Sequence, residues 1–232
     1  MTEAVILAGG LGTRLKSAVP DLPKPLAEVN GRPFLDLLLK QLDSSGVVGR
    51  VVLAVGYRAE KIIERYANAS GYSFELVFSR EDEPLGTGGA LIKAGKLTGS
   101  SELLVLNGDS YVEADIADLL SFHRESGSPF TMVLKEAADC RRYGRVEVNA
   151  ESRIVSFGEK EQRACPGLIN AGVYVFERPL IEDERVRPLS LETALLPGYL
   201  RYGGYGYIVY GRFIDIGLPE TYRSAQEYLK GM

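Results

Sequence analysis

The 232-residue chain has no tryptophan, a single histidine, two cysteines and three methionines. With so few of them, no His/Cys metal cluster and no Ser-His-Asp or Cys-His arrangement can be found. Cys140 and Cys165 have neither metal-ligand spacing nor a secretory context, and they read as free thiols in a reducing compartment. Positive charge is not in excess: 27 Lys and Arg face 31 Asp and Glu. That balance argues against nucleic acid as a partner, and Arg141-Arg142 is too short for a basic stripe. No apolar run could span a bilayer, and the first strand begins too early to leave room for a signal peptide. The expectation is a cytoplasmic protein without membrane contact.

Glycine is plentiful, and it is clustered. Val5 to Ala8 reads as a short buried strand that Gly9, Gly10 and Gly12 break sharply. Without Cβ atoms there, backbone N–H groups can approach an anion closely. Thr13 and Arg14 stand where a helix should start, adding a hydroxyl and a permanent cation. Neither common glycine fingerprint fits: a Walker loop ends in Gly-Lys-Ser/Thr, and a dinucleotide pattern would need glycine at Leu15. Pro23-Lys24-Pro25 then pins a lysine between two residues of fixed φ, which lowers the entropy cost of placing it on a phosphate.

The first half alternates strand and helix, the pattern of a mostly parallel sheet. Strands are expected at Val51–Val55, Phe74–Phe78 and Leu103–Leu106, and helices at 34–42, 59–67 and 116–125, with another opened by the glycine-rich turn Glu83–Ala90 and running to about Lys96. From Thr131 on, short strands joined by turns suggest antiparallel structure: 131–134, 145–148, 154–157, 170–176, 208–210 and 213–217. A closing helix runs from Pro219 to Lys230. Ligands of open α/β sheets bind beyond the carboxyl ends of the strands. The loop after the first strand, the second glycine-rich turn Glu83–Ala90 and Asn107-Gly108-Asp109 all lie at such ends.

Asp109 and Asp215 are carboxylates in apolar strand contexts, where they have no packing use and need a cation or donors. Two such groups suit Mg²⁺, which takes a few carboxylates plus phosphate oxygens and water. His123 reads as a surface or satisfied residue, and the many tyrosines of the second half as core.

Leu7-Ala8-Gly9-Gly10-x-Gly12-Thr13-Arg14-Leu15 followed by Pro23-Lys24-Pro25 resembles the signature of the sugar-phosphate nucleotidylyltransferases. The resemblance extends over essentially the whole chain. It implies one nucleotidyltransferase domain, 1–232, with a Rossmann-like, mostly parallel central sheet flanked by helices (GT-A-like). A smaller antiparallel β part would bind sugar, dividing the chain into a nucleotide half, 1–127, and a sugar half, 128–232. The implied reaction is NTP plus sugar 1-phosphate giving NDP-sugar and pyrophosphate.

By the same resemblance Arg14, Lys24 and Asp109 are catalytic, and Asp109 and Asp215 hold Mg²⁺. Leu7, Ala8, Gly9, Gly10, Gly12, Thr13, Glu81, Gly86, Thr87, Asn107 and Gly108 line the nucleotide. Tyr143, Gly144, Glu159, Lys160, Asn170 and Ala171 line the sugar phosphate, with a weaker signal at Ser190-Leu191-Glu192. The compact length, Leu85–Ala90, Leu106–Ser110 and Phe213–Gly217 look most like the guanylyltransferases of D-glycero-α-D-manno-heptose 1-phosphate, which serve surface polysaccharide synthesis. GTP is then the expected nucleotide, in a monomer or homodimer. The alternatives are a mannose-1-phosphate guanylyltransferase, an N-acetylmuramate-1-phosphate uridylyltransferase and a non-catalytic nucleotide-sugar sensor.

Overall fold

The computed structural model describes residues 1–158 and 165–231. Thirteen strands are seen among them: β1 (Thr2–Leu7), β2 (Glu28–Val29), β3 (Arg32–Pro33), β4 (Val48–Val55), β5 (Glu75–Arg80), β6 (Glu102–Asn107), β7 (Ser110–Val112), β8 (Phe130–Ala137), β9 (Arg145–Val148), β10 (Ile154–Phe157), β11 (Gly167–Glu177), β12 (Tyr205–Val209) and β13 (Phe213–Asp215). The helices are α1 (Phe34–Ser45), α2 (Ala59–Tyr66), α3 (Gly86–Gly95), α4 (Ile116–Ser126), α5 (Pro179–Glu182), α6 (Leu196–Tyr199) and α7 (Pro219–Tyr228). Short 3-10 turns cover Lys24–Leu26 and Leu200–Tyr202, and a π-helical turn covers Leu191–Leu195.

β5, β4, β1 and β6 lie side by side and parallel. Being covered on both faces, they read as near-continuous apolar runs. Alternation within those runs divides the core in two. Ala4, Ile6, Val51, Leu53, Leu104 and Leu106 pack on the side of α1, α4 and α7. Val5, Val52, Ala54, Leu103 and Val105 pack on the side of α3 and the helical turns after α5.

Of the strands expected to be antiparallel, those at 131–134, 145–148, 154–157 and 170–176 are so and continue the same sheet, whereas the one near 208 pairs parallel and the one at 213 forms a separate ribbon. β11 joins β6 antiparallel, β8 and β9 join β11, and β10 joins β9. β12 pairs parallel with β8. Its other edge meets the start of β10 and the residues just before it, with Ile154 N–H on Gly204 O and Gly206 N–H on Ser152 O, both 2.8 Å. These strands thus curl into a ring. Gly204 and Gly206 allow the closure, because added Cβ atoms would lie 2.3 Å from the Phe130 ring and 2.4 Å from Leu134.

Two small ribbons flank the main sheet. β2 and β3 form a hairpin whose turn, Asn30-Gly31, has φ of 53° and 76°, the tight turn that Asn-Gly favours. β13 pairs with β7 so that Asp215 faces Ser110. That single register brings the two distant aspartates together.

Candidate active site

The carboxyl ends of β1, β4, β5 and β6 carry the loops that meet. Ala8 N–H extends the β1–β4 pairing onto Ala54 O at 2.8 Å, and Tyr57 N–H bonds Gly9 O at 3.1 Å. Gly108 N–H bonds Leu7 O at 3.0 Å. Gly9 has no room for a side chain: a Cβ would sit 2.2 Å from Glu81 Oε1. Glu81 is thereby held against the first glycine loop, and its Oε2 accepts Leu85 N–H at 2.9 Å. Burial raises its carboxyl pKa, against the opposing pull of that bond and of Lys93.

No helix begins at Thr13. Residues 13–18 form hydrogen-bonded turns, with Leu15 N–H on Gly12 O and Val19 N–H on Leu15 O, and Leu15 buried beneath them. Pro20, which has no N–H to donate and disfavours helical geometry at Val19, stops the turns there. Gly10, Thr13 and Arg14 are exposed on this loop.

Lys24 opens a 3-10 turn after Pro23, whose ψ of 144° is extended, and buried Pro25 and Leu26 fix the segment. Its side chain is 12% exposed, and Nζ donates to Asp109 Oδ2 at 2.6 Å. Asp109 is tied to the far half through Ile216 N–H on its carbonyl, 2.9 Å. A Cβ on Gly217 would lie 2.9 Å from Asp215 Oδ1 and 3.7 Å from Lys24 Nζ, so Asp215 and Lys24 flank one glycine, and Asp109 is linked to them through its bond with Lys24.

Asp215 is 14% exposed and well supplied with donors. Gly217 N–H reaches Oδ1 at 3.0 Å, Arg142 Nη2 reaches Oδ2 at 3.2 Å, and the Tyr143 hydroxyl donates to Oδ2. Burial first, and then the neighbouring Asp215, raise the Tyr143 phenol pKa, so the hydroxyl stays a donor. Tyr143, expected at the sugar, is thus joined to the carboxylate. Arg142 was not singled out from sequence except as part of a pair too short for a basic stripe; its place before Tyr143-Gly144 was the available signal.

The other expected sugar residues are brought together. Asn170 N–H points to Gly144 O at 3.4 Å, Asn170 Nδ2 bonds Tyr174 Oη at 2.6 Å, and Ala171 is buried. Gly172 forms a bulge with φ 77° that lies against the Asn107 side chain. Asn107 Oδ1 is buried and has no hydrogen-bond partner among the described residues. Gly158 N–H bonds Arg145 O at 2.9 Å beside Gly144; Glu159 and Lys160, next in the chain, lie outside the described residues.

The second glycine-rich turn is engaged with the protein itself. Gly88 and Gly89 donate to Leu189 O at 3.0 and 3.3 Å, and Gly86 has a φ of 67° under the same strap. Thr87 Oγ1 donates to Glu192 Oε2 at 2.7 Å and accepts Leu191 N–H at 2.8 Å. Ser190-Leu191-Glu192 therefore adjoins the site through Thr87. Cys140 and Cys165 are free thiols, and His123 is buried with Nδ1 2.9 Å from Thr131 Oγ1.

The chain is 37% identical to D-glycero-alpha-D-manno-heptose 1-phosphate guanylyltransferase of Aneurinibacillus thermoaerophilus, over 98% of each chain. It is 38% identical to the enzyme of that name from Campylobacter jejuni, over 95% of this chain and 96% of that one. Mannose-1-phosphate guanylyltransferase of Mycobacterium tuberculosis matches at 35% over 99% of this chain and 65% of its own length. The crystal structure of HddC from Yersinia pseudotuberculosis complexed with GMP-PN superposes with a TM-score of 0.87 at 37% identity, covering 99% of this chain and all of that one. Residues 3–229 match the model of the family described as nucleotidyl transferase, and with relatives this similar along almost its whole length, the chain belongs to that family.

Proposed function

We propose that the protein transfers a guanylyl group from GTP to D-glycero-α-D-manno-heptose 1-phosphate, giving GDP-heptose and pyrophosphate for surface polysaccharide. The carrying observation is that Lys24, bonded to Asp109, lies with Asp215 at Gly217, while the pairing of Asp215 with Ser110 brings the two aspartate segments side by side. The two carboxylates offer hard oxygen donors, and no group of three or more His, Cys, Asp or Glu is seen among the described residues. That donor set fits Mg²⁺, which completes its shell with phosphate oxygens and water. When bound, the ion neutralises charge on the α-phosphate.

The acceptor phosphate is already ionised at neutral pH, so no side chain has to remove a proton. Catalysis then rests on positioning and charge. Lys24, held rigidly by its prolines and by Asp109, meets the α-phosphate, and Arg14 on its exposed loop meets the leaving pyrophosphate. Leu7, Ala8, Gly9, Gly10, Gly12, Thr13, Gly86, Thr87, Asn107 and Gly108 surround the nucleotide. Glu81 reads the base: a carboxylate only accepts, and guanine presents adjacent N–H donors where uracil and thymine alternate donor with acceptors. Tyr143, Gly144, Asn170 and Ala171, with Glu159 and Lys160, take the sugar phosphate. Residues 1–127 serve the nucleotide and 128–232 the sugar, in a cytoplasmic monomer or homodimer. Among the described residues no helix is long and apolar enough to cross a membrane.

The test is a matrix of nucleoside triphosphates against sugar 1-phosphates, scored by pyrophosphate release. GTP with the manno-configured heptose 1-phosphate gives the highest kcat/KM, and Asp109→Asn lowers kcat on that pair by roughly 10²–10³. Turnover best with UTP or with mannose 1-phosphate would replace the substrate assignment, and no release with any pair would leave a sensor.

A further inference from the structure

Asp109 and Asp215 differ in how fully they are already held. Asp109 Oδ2 takes Lys24 at 2.6 Å, while Oδ1 has the Ser110 hydroxyl at 3.2 Å. A carboxylate offers about four lone-pair sites. On Asp215 three donors cover both oxygens: Oδ1 faces Gly217 N–H at 3.0 Å, Oδ2 faces the Tyr143 hydroxyl, and Arg142 Nη2 is shared between them at 3.4 and 3.2 Å. A cation that coordinates Asp215 competes with these donors.

The Gly217 amide is fixed by the backbone leading into α7, and Tyr143 is packed edge-on against Phe213 with centroids 5.6 Å apart. Arg142 makes the longest contacts, is 41% exposed, and sits in the turn between β8 and β9 on a flexible stem. A guanidinium and a divalent ion on the same oxygen also repel one another. Arg142 is the donor least firmly held.

We propose that Arg142 is a positioning residue that competes with the divalent cation for Asp215, so that Asp109 is the standing ligand and Asp215 joins as Arg142 leaves. Held by Arg142, Asp215 stays oriented and charge-balanced; released, it presents a lone pair to the ion. This rests on the reading of Asp215 as a cation ligand.

Mn²⁺ added to the full chain without nucleotide, with free ion counted by electron paramagnetic resonance, tests it apart from turnover. Arg142→Met keeps the stem without the charge and tightens Mn²⁺ binding at least threefold. Arg142→Lys falls between it and the wild type, and Arg141→Met, which removes a cation paired to Asp139 instead, leaves binding unchanged. Arg142→Met binding Mn²⁺ no tighter than the wild type overturns the competition. Asp215→Asn separates the two levels: weakened Mn²⁺ binding upholds the ligand, whereas unchanged binding removes the ligand assignment together with the role of Arg142.

Discussion

Glu81 condenses the base-selection question into one side chain. Its Oε1 is pressed against Gly9 and its Oε2 is bonded by Leu85 N–H, so the carboxylate is oriented before any base arrives. Hydrogen bonds to a charged group contribute about 1.5–3 kcal/mol. Glu81→Gln therefore lowers kcat/KM for GTP by about 10–100-fold and narrows the gap to UTP and dTTP, measured as pyrophosphate release with each triphosphate. An unchanged preference for GTP would assign base reading to the backbone of the loops instead. Lys24, Asp109 and Asp215 were legible one by one, because charged residues inside apolar strands or between prolines have no packing use. Arg142 was not legible, because a surface arginine acquires meaning only from the carboxylate that folding places beside it.

At the scale of elements, strands and long helices matched their hydrophobic periods, while the turn at 13–18 and the strap at 179–202 did not announce themselves. The glycines of α3 illustrate the reason: they read as a turn facing a ligand at the strand ends, and Gly88 and Gly89 are bonded beneath Leu189. A local pattern specifies that a backbone can approach something closely, and the tertiary partner decides what.

The joint between α4 and β8 carries a pH dependence. His123 is buried, 2.9 Å from Thr131 Oγ1 and 3.4 Å from Glu177 Oε1, with Glu102 and Arg124 also nearby. Burial holds its pKa below the usual 6.5 despite the pull of Glu177 and Glu102. The unfolded chain, with the ordinary value, binds the proton first. Stability is thus complete above about pH 6.5 and falls as pH drops below it toward the depressed folded value. Melting curves at stepped pH should show this decline in the wild type and a shallower one in His123→Gln; parallel curves would place the acid sensitivity elsewhere.

Over the whole molecule, the β2–β3 hairpin is fastened to the last helix. Gln226 on α7 donates to Glu28 O and accepts Asn30 N–H, both at 2.9 Å, and the Tyr222 hydroxyl reaches Glu28 O at 2.7 Å. The hairpin so clasped follows directly on Lys24, and α7 follows directly on Asp215. Each exposed bond contributes about 0.5–1 kcal/mol. Gln226→Ala is expected to lower Tm by about 2–4 °C in calorimetry. No change in Tm would mean that apolar contacts alone hold this closure.

The sequence alone determined the alternating α/β first half, the glycine-broken loop after β1, the pinned lysine and the two out-of-place aspartates. Each is a matter of spacing, backbone freedom or the cost of burying charge, which adjacent residues carry in full. Only the tertiary structure decided that β11 would fuse the antiparallel half onto the parallel one, and that β13 would align with β7. From that pairing come the meeting of Asp109 with Asp215 and the grip of Arg142 and Tyr143 on the latter. Strand register between segments a hundred residues apart is set by packing across the whole sheet, and no local stretch of chain encodes it.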